Sequence, residues 1–209
     1  MLIHKTNFLM RAIYPNFLWR IPTQEKEIYL TFDDGPIPEI TEFVSEELNK
    51  YQAKATFFCI GDNIQKYPNV FQKLVNEQHT IGNHTFNHLK GWDTENTAYL
   101  ENFKKCRVEI EKNNTTKFTT LFRPPYGRIK KSQAKEILKT HQIVMWDVLS
   151  GDYDQNFAKD KVLSKTIKYT EQGSIVLFHD SLKASKNMMY ALPRVLEHFS
   201  ERGFTFKSL

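Results

Sequence analysis

Cysteine is scarce in this chain of 209 residues, which has only Cys59 and Cys106. Two cysteines make no disulfide framework, and nothing in the sequence calls for a bridge between them. Cys59 lies in the apolar run ATFFCIG, where it reads as a small core residue, and Cys106 lies in a charged helical pattern. Long apolar runs are missing too. No stretch reaches about 18 uninterrupted apolar residues, so no transmembrane helix is expected. No tract of one charge sign occurs either. The 29 basic and 24 acidic residues leave a net charge of +5 spread along the chain. Without a basic arm, nucleic acid is not an expected partner. There is no linker, internal repeat or low-complexity segment. The N-terminal stretch MLIHKTNFLMRAIYPNFLW is aromatic and mildly basic, and Arg11 and Pro15 interrupt its apolar character. It lacks a clean apolar signal core and a small-residue cleavage site, so no cleavable signal is expected. Residues 1–26 are read as a segment packing on the domain formed by 27–209. Association with a membrane surface is the second reading of that segment. Location stays open between the cytoplasm and the cell envelope.

What the sequence does hold is alternation. Residues 27–33, 54–61, 79–84, 119–125, 142–148 and 174–180 read as strands, and FTFKSL closes the chain. Between and after them, 38–51, 68–78, 93–113, 130–141, 158–172 and 188–203 read as helices. Pro68 suits a first helical turn. Asp93 or Thr94 is the expected cap of the long helix, and Pro193 the expected kink of the last one. Alternating strands and helices with short loops argue an α/β fold with a mainly parallel sheet. The apolar strands suit a sheet covered on both faces. In either the open or the barrel form of such a sheet, ligands sit at the C-terminal strand ends.

Those ends carry unusual residues. YLTFDDGP stops on two adjacent carboxylates, Asp33 and Asp34. Buried like charges are costly unless a cation meets them. NHTFNH supplies His84 and His88, FRPPYG supplies Arg123, WDVLSGDYD supplies Asp152, and VLFHD supplies His179 and Asp180. On a helical turn, the four-residue spacing of His84 and His88 puts both imidazoles on one face. Two imidazoles and one carboxylate form a three-ligand set for a catalytic divalent ion. Zn²⁺ is the first expectation, and Co²⁺, Ni²⁺ or Fe²⁺ accept the same donors. Each motif alone is more often a turn or a core residue; their joint occurrence at strand ends is what points to a site.

In order, TFDDGP, HTFNH, RPPYG, WDVLSGDY and VLFHD resemble the five motifs of the polysaccharide deacetylases, carbohydrate esterase family four or the NodB homology domain. The resemblance spans about residues 27–180. It implies a distorted (β/α) barrel of about seven strands and metal-dependent hydrolysis of N-acetyl groups on N-acetylglucosamine-type residues of a glycan. It implies Asp34, His84 and His88 as metal ligands, Asp33 as general base, and Arg123 orienting Asp33 through a salt bridge. The backbone N–H of Tyr126 would bind the oxyanion. His179 would be the general acid, tuned by Asp152, and Trp146 and Leu177 would line the pocket near the acetyl methyl. The fourth motif departs from the family's usual Asp-x-x-Asp-Trp, with Leu149 and Tyr153 at its first and last positions. The alternatives are a hydrolase of a non-sugar amide or cyclic imide on the same fold, and an inactive glycan-binding module. The motifs leave open which glycan is used: peptidoglycan, chitin-type, exopolysaccharide or lipid-linked sugar.

Overall fold

Strand β1 (Glu27–Asp33) runs through the middle of a parallel sheet, and every residue after Glu27 is buried. The computed structural model describes residues 4–114 and 120–209. The remaining strands are β2 (Thr56–Cys59), β3 (Thr80–Asn83), β4 (Leu121–Phe122), β5 (Gln142–Ile143), β6 (Val148–Leu149), β7 (Ile175–His179) and β8 (Thr205–Lys207). The order β5-β4-β3-β2-β1-β7-β6 curls into a half-barrel, and β8 pairs with the first half of β1. Near-continuous apolar strands are what two-sided burial demands. Phe32 stacks between Phe57 and Phe178, with ring centroids 5.1 and 6.0 Å away. Full burial of such a ring is worth about 1.5–3 kcal/mol.

The described residues form eight helices, α1 (Phe8–Ile13), α2 (Ile40–Lys50), α3 (Gly61–Lys66), α4 (Pro68–Asn76), α5 (Asn96–Asn113), α6 (Lys131–Ile137), α7 (Lys159–Tyr169) and α8 (Ser185–Ser200), and all but α1, which buries none of its residues, pack around the sheet. Helical spacing explains their buried stripes, as with Ile40, Val44 and Leu48 on α2 and Met188, Leu192, Val195 and Phe199 on α8. None of these helices is long and apolar enough to cross a membrane. Cys59 and Cys106 are buried and free.

The strand predicted over 142–148 is two strands at opposite ends of the sheet. Between them Val144 N–H still donates to Phe122 O at 2.8 Å, but Val144 O and Met145 O accept from the Arg123 guanidinium at 3.2 and 2.8 Å where a further strand would ladder. The strand predicted over 119–125 contracts to β4, and its first residue lies outside the described residues. The expected cap of α5 also differs. Gly91–Asp93 form a 3₁₀ turn, Thr94 Oγ1 donates to Lys90 O at 2.8 Å, and Glu95 takes the cap position.

The N-terminal segment, described from His4, lies along the open side of the half-barrel. Lys5 bridges to Val148 next to one sheet end and Leu18 to Val144 next to the other. Trp19 is buried, and Asp147 binds Lys5 at 2.7 Å and also Arg11.

Candidate active site

Strand register alone brings the first acidic and basic groups together. Asp33 pairs with His179 across β1 and β7, Cys59 with Asn83 across β2 and β3, and Asn83 with Phe122 across β3 and β4. The residues that follow, Asp34, His84 and Arg123, therefore leave the sheet at one level. Asp34 leaves with φ 85°, a left-handed conformation that L-residues rarely adopt. Thr85 (φ 63°) and His88 (φ 56°) share that region. Such positions cost about 1–3 kcal/mol each and gather where a site needs a side chain re-aimed.

His84 and His88 do not sit on a helical turn, contrary to the expectation from their spacing. Asn83 Oδ1 accepts from Thr85 N at 2.8 Å, and Thr85 Oγ1 accepts from Leu89 N at 3.1 Å. These side-chain bonds hold an irregular loop in place of a helix. The loop still delivers both rings, with centroids 5.1 Å apart. One ligand atom each from Asp34, His84 and His88 lies within 4.8 Å of the others. Asp34 Oδ1 is 3.2 Å from His88 Nε2 and 3.7 Å from His84 Nε2.

The protonation states suit a cation. His84 Nδ1 donates to Arg123 O at 2.7 Å, which fixes the tautomer and leaves Nε2 as a lone-pair donor. Burial brings the His84 imidazolium pKa down to about 4, although Asp33 and Asp34 pull it up, so the ring is neutral at pH 7. Burial alone raises the Asp34 carboxyl, but the bond to His88 and the neighbouring imidazoles reverse this and hold it below the usual carboxylate range. A neutral His84 imidazole and an ionised Asp34 carboxylate are forms that bind a divalent ion. The donor set fits Zn²⁺ and equally Co²⁺, Ni²⁺ or Fe²⁺.

Asp33, also buried, is held by Arg123, which is wholly enclosed. Arg123 Nη1 donates to Asp33 Oδ1 at 2.7 Å and to Thr31 Oγ1 at 2.8 Å, and Nε and Nη2 reach Val144 O and Met145 O. Its guanidinium carbon lies 4.2 Å from the Phe58 ring centroid. A fork with four fixed partners cannot swing, so the second oxygen, Asp33 Oδ2, is aimed at the ligand group, 3.7 Å from His84 Nε2.

Asp152 grips His179 twice. Its Oδ2 accepts from the His179 backbone N–H and its Oδ1 pairs with Nδ1, both at 2.8 Å. Burial lowers the His179 pKa, but the Asp152 charge and hydrogen bond, with the fields of Asp34 and Asp33, raise it to about 9. Tyr153 packs edge-on against the imidazole at 5.1 Å. The departure in the fourth motif thus keeps an aromatic wall beside His179.

Asp33, Asp34, His84, His88, Tyr153 and His179 open on a cleft of about 700 Å³, lined also by Tyr126, Trp146, Leu149 and Leu177. Of the residues singled out from sequence, all but Arg123, Asp152 and Asp180 line it, and the first two of these stand directly behind Asp33 and His179. Asp180 points elsewhere. Its carboxyl accepts from Gly35 N at 3.0 Å and from Thr41 Oγ1 at 2.6 Å. A Cβ on Gly35 would sit 1.9 Å from Asp180 Oδ2, so only glycine fits there. Asp180 thereby braces the loop that carries Asp34. Sequence reasoning did not single out Lys90, Arg128 and Lys183 as cleft residues. Their signal was weak, because lone basic residues in loops are usually solvated.

The family model for polysaccharide deacetylase matches residues 20–146. A peptidoglycan-N-acetylglucosamine deacetylase of Bacillus cereus is 33% identical over 90% of this chain and 88% of its own length. A chitooligosaccharide deacetylase of Azorhizobium caulinodans is 31% identical over 91% and 96%. The crystal structure of the Bc1960 peptidoglycan N-acetylglucosamine deacetylase superposes with a TM-score of 0.88 at 28% identity, covering 98% of this chain and 95% of that one.

Proposed function

The chain belongs to the polysaccharide deacetylase family of hydrolases, and from that premise we propose that it removes N-acetyl groups from N-acetylglucosamine-type residues of a glycan. The observation that carries this reading is a single cleft holding a two-imidazole, one-carboxylate ligand set between a second carboxylate and a carboxylate-backed imidazole. Asp34, His84 and His88 would hold a divalent ion, Zn²⁺ in the first instance. A divalent ion there supplies Lewis acidity that polarises an acetamide carbonyl and acidifies water.

The protein's own groups do the rest. Asp33 takes a proton from the attacking water on Oδ2, with its other oxygen fixed by Arg123. The N–H groups of Gly127 and Arg128 bond within the turn, to Pro124 O and Pro125 O at 2.9 and 3.0 Å. The N–H of Tyr126 is the proposed donor to the developing oxyanion, a role worth about 3 kcal/mol in comparable sites. His179 delivers a proton to the leaving sugar amine. Trp146, Leu149 and Leu177 give the acetyl methyl an apolar wall.

The test is metal analysis with acetate release from N-acetylglucosamine oligomers. We expect one divalent ion per chain, and at least a ~100-fold loss of rate on chelation that Zn²⁺ or Co²⁺ restores. Undiminished acetate release from metal-depleted protein would reject the assignment.

A pH dependence follows from His179. A histidine with a raised pKa keeps its proton up to that pKa and loses it above. The acid is therefore present below pH about 9, and activity falls as pH rises through that value. Asp152→Asn removes the leading cause of the rise, and the alkaline limb of kcat/KM should move down by about one pH unit or more. An alkaline limb that stays in place would assign it to another group.

A further inference from the structure

Three basic side chains besides the histidines line the cleft: Lys90, Arg128 and Lys183. Lys90 is paired with Asp93 at 2.6 Å. Arg128 and Lys183 are exposed, and among the described residues neither has a carboxylate within 4.0 Å. The cleft's own acids are engaged, Asp33 by Arg123 and Asp34 by His88. Two cations therefore face substrate space with nothing on the protein to neutralise them.

These side chains are also placed. The Arg128 guanidinium lies 4.2 Å from the centroid of the Trp92 ring, and Trp92 is fixed in turn by its Nε1–H bond to Ile129 O at 3.0 Å. A guanidinium stacked on an anchored indole keeps its planar fork in one orientation, at a lower entropic cost on binding than a freely moving side chain. Lys183 lies 5.8 Å from the Tyr153 ring, which itself packs on His179. The two cations come from the loops after β4 and β7, with β3, β2 and β1 between those strands in the sheet. A neutral acetylated sugar polymer offers them hydroxyl and carbonyl acceptors but no counter-charge. A glycan with carboxylates on the sugars flanking the reacting acetamide offers each of them one.

We propose that Arg128 and Lys183 bind substrate carboxylates, so that the preferred substrate is an acidic N-acetylated glycan and not a neutral homopolymer. This rests on the deacetylase reading and narrows its substrate class. Recognition of this kind acts on binding, so it should appear in KM more than in kcat.

The experiment compares two probes. One is neutral tetra-N-acetylchitotetraose; the other is a tetrasaccharide of alternating N-acetylglucosamine and N-acetylmuramic acid, whose lactyl groups carry carboxylates. Acetate release is measured for the metal-loaded protein and for Arg128→Gln, Lys183→Gln and the double variant. Binding of both probes is measured calorimetrically in an Asp33→Asn background. The wild type should favour the acidic probe in kcat/KM, and this preference should weaken as salt rises. Each single variant should reduce the acidic-to-neutral ratio a few-fold, and the double variant roughly tenfold, mainly through KM. A ratio that is the same in wild type and double variant overturns the proposal, as does a wild-type preference for the neutral probe. Acetate release with equal binding of both probes rejects this inference and spares the deacetylase reading. Preferential binding of the acidic probe without acetate from either does the reverse. Equal binding and no acetate reject both.

Discussion

Asp33→Asn should retain one divalent ion per chain and lose about 10²–10⁴ of kcat, the range a positioned general base supplies. The amide keeps the size of the carboxylate and can still accept from Arg123, so the ligand set beside it should stay in place, although the buried guanidinium loses its counter-charge and stability should fall. It cannot take a proton from water. The geometry makes this separation of roles sharp: Asp33 Oδ1 is engaged by Arg123 Nη1 at 2.7 Å, while Asp34 Oδ1 faces the two imidazoles. Metal content by mass spectrometry and kcat on N-acetylglucosamine oligomers are the two readouts. Activity near wild type would remove Asp33 from the base role; loss of the ion would make it a ligand.

Arg123→Met carries the largest expected cost in stability. The side chain is fully buried and partners buried Asp33. Removing one member of a buried ion pair leaves the other charge uncompensated, typically at about 3–5 kcal/mol. Two backbone carbonyls, of Val144 and Met145, also lose their donor. For a chain of this size each kcal/mol moves Tm by about 2–4 °C, so a drop on the order of 10 °C is expected. Adding Asp33→Asn should recover part of it by removing the orphaned charge. Arg123→Lys should restore charge but not the four-point fork, and so should remain impaired in kcat. A thermal shift below about 2 °C for Arg123→Met, or no recovery in the double variant, would contradict this account.

Much of the site was readable because its residues announce themselves locally. Apolar β-prone runs that stop on Asp33, His84, Arg123 or His179 mark strand ends, and parallel strands place their ends on one side. The α/β class and the gathering of Asp33, Asp34, His84, His88 and His179 at one cleft follow from that regularity, whereas the barrel form and the pocket residues Tyr126, Trp146 and Leu177 came from the resemblance of the motifs. Three features were not readable, for different reasons. The splitting of 142–148 into β5 and β6 goes with long-range partners, the Arg123 guanidinium on the Val144 and Met145 carbonyls and Leu18 on Ile143 O and Met145 N–H, and no local propensity encodes such partners. The loop carrying His84 and His88 keeps the spacing of a helix but takes its shape from Asn83 and Thr85 side-chain bonds. Arg128 and Lys183 look like ordinary loop cations until the fold places them around one cleft.

The sequence by itself determined the alternation of elements, the burial of the strands and the kinds of group that gather at their ends, since these depend on hydrophobic periodicity and side-chain chemistry along a few neighbouring residues. Only the tertiary structure decided which oxygen of Asp33 is left free, which nitrogen of His84 points outward, what Asp180 braces and where the two unpaired cations lie. Those outcomes depend on register and long-range hydrogen bonds between segments far apart in the chain, and such contacts exist only once the sheet has assembled around Arg123.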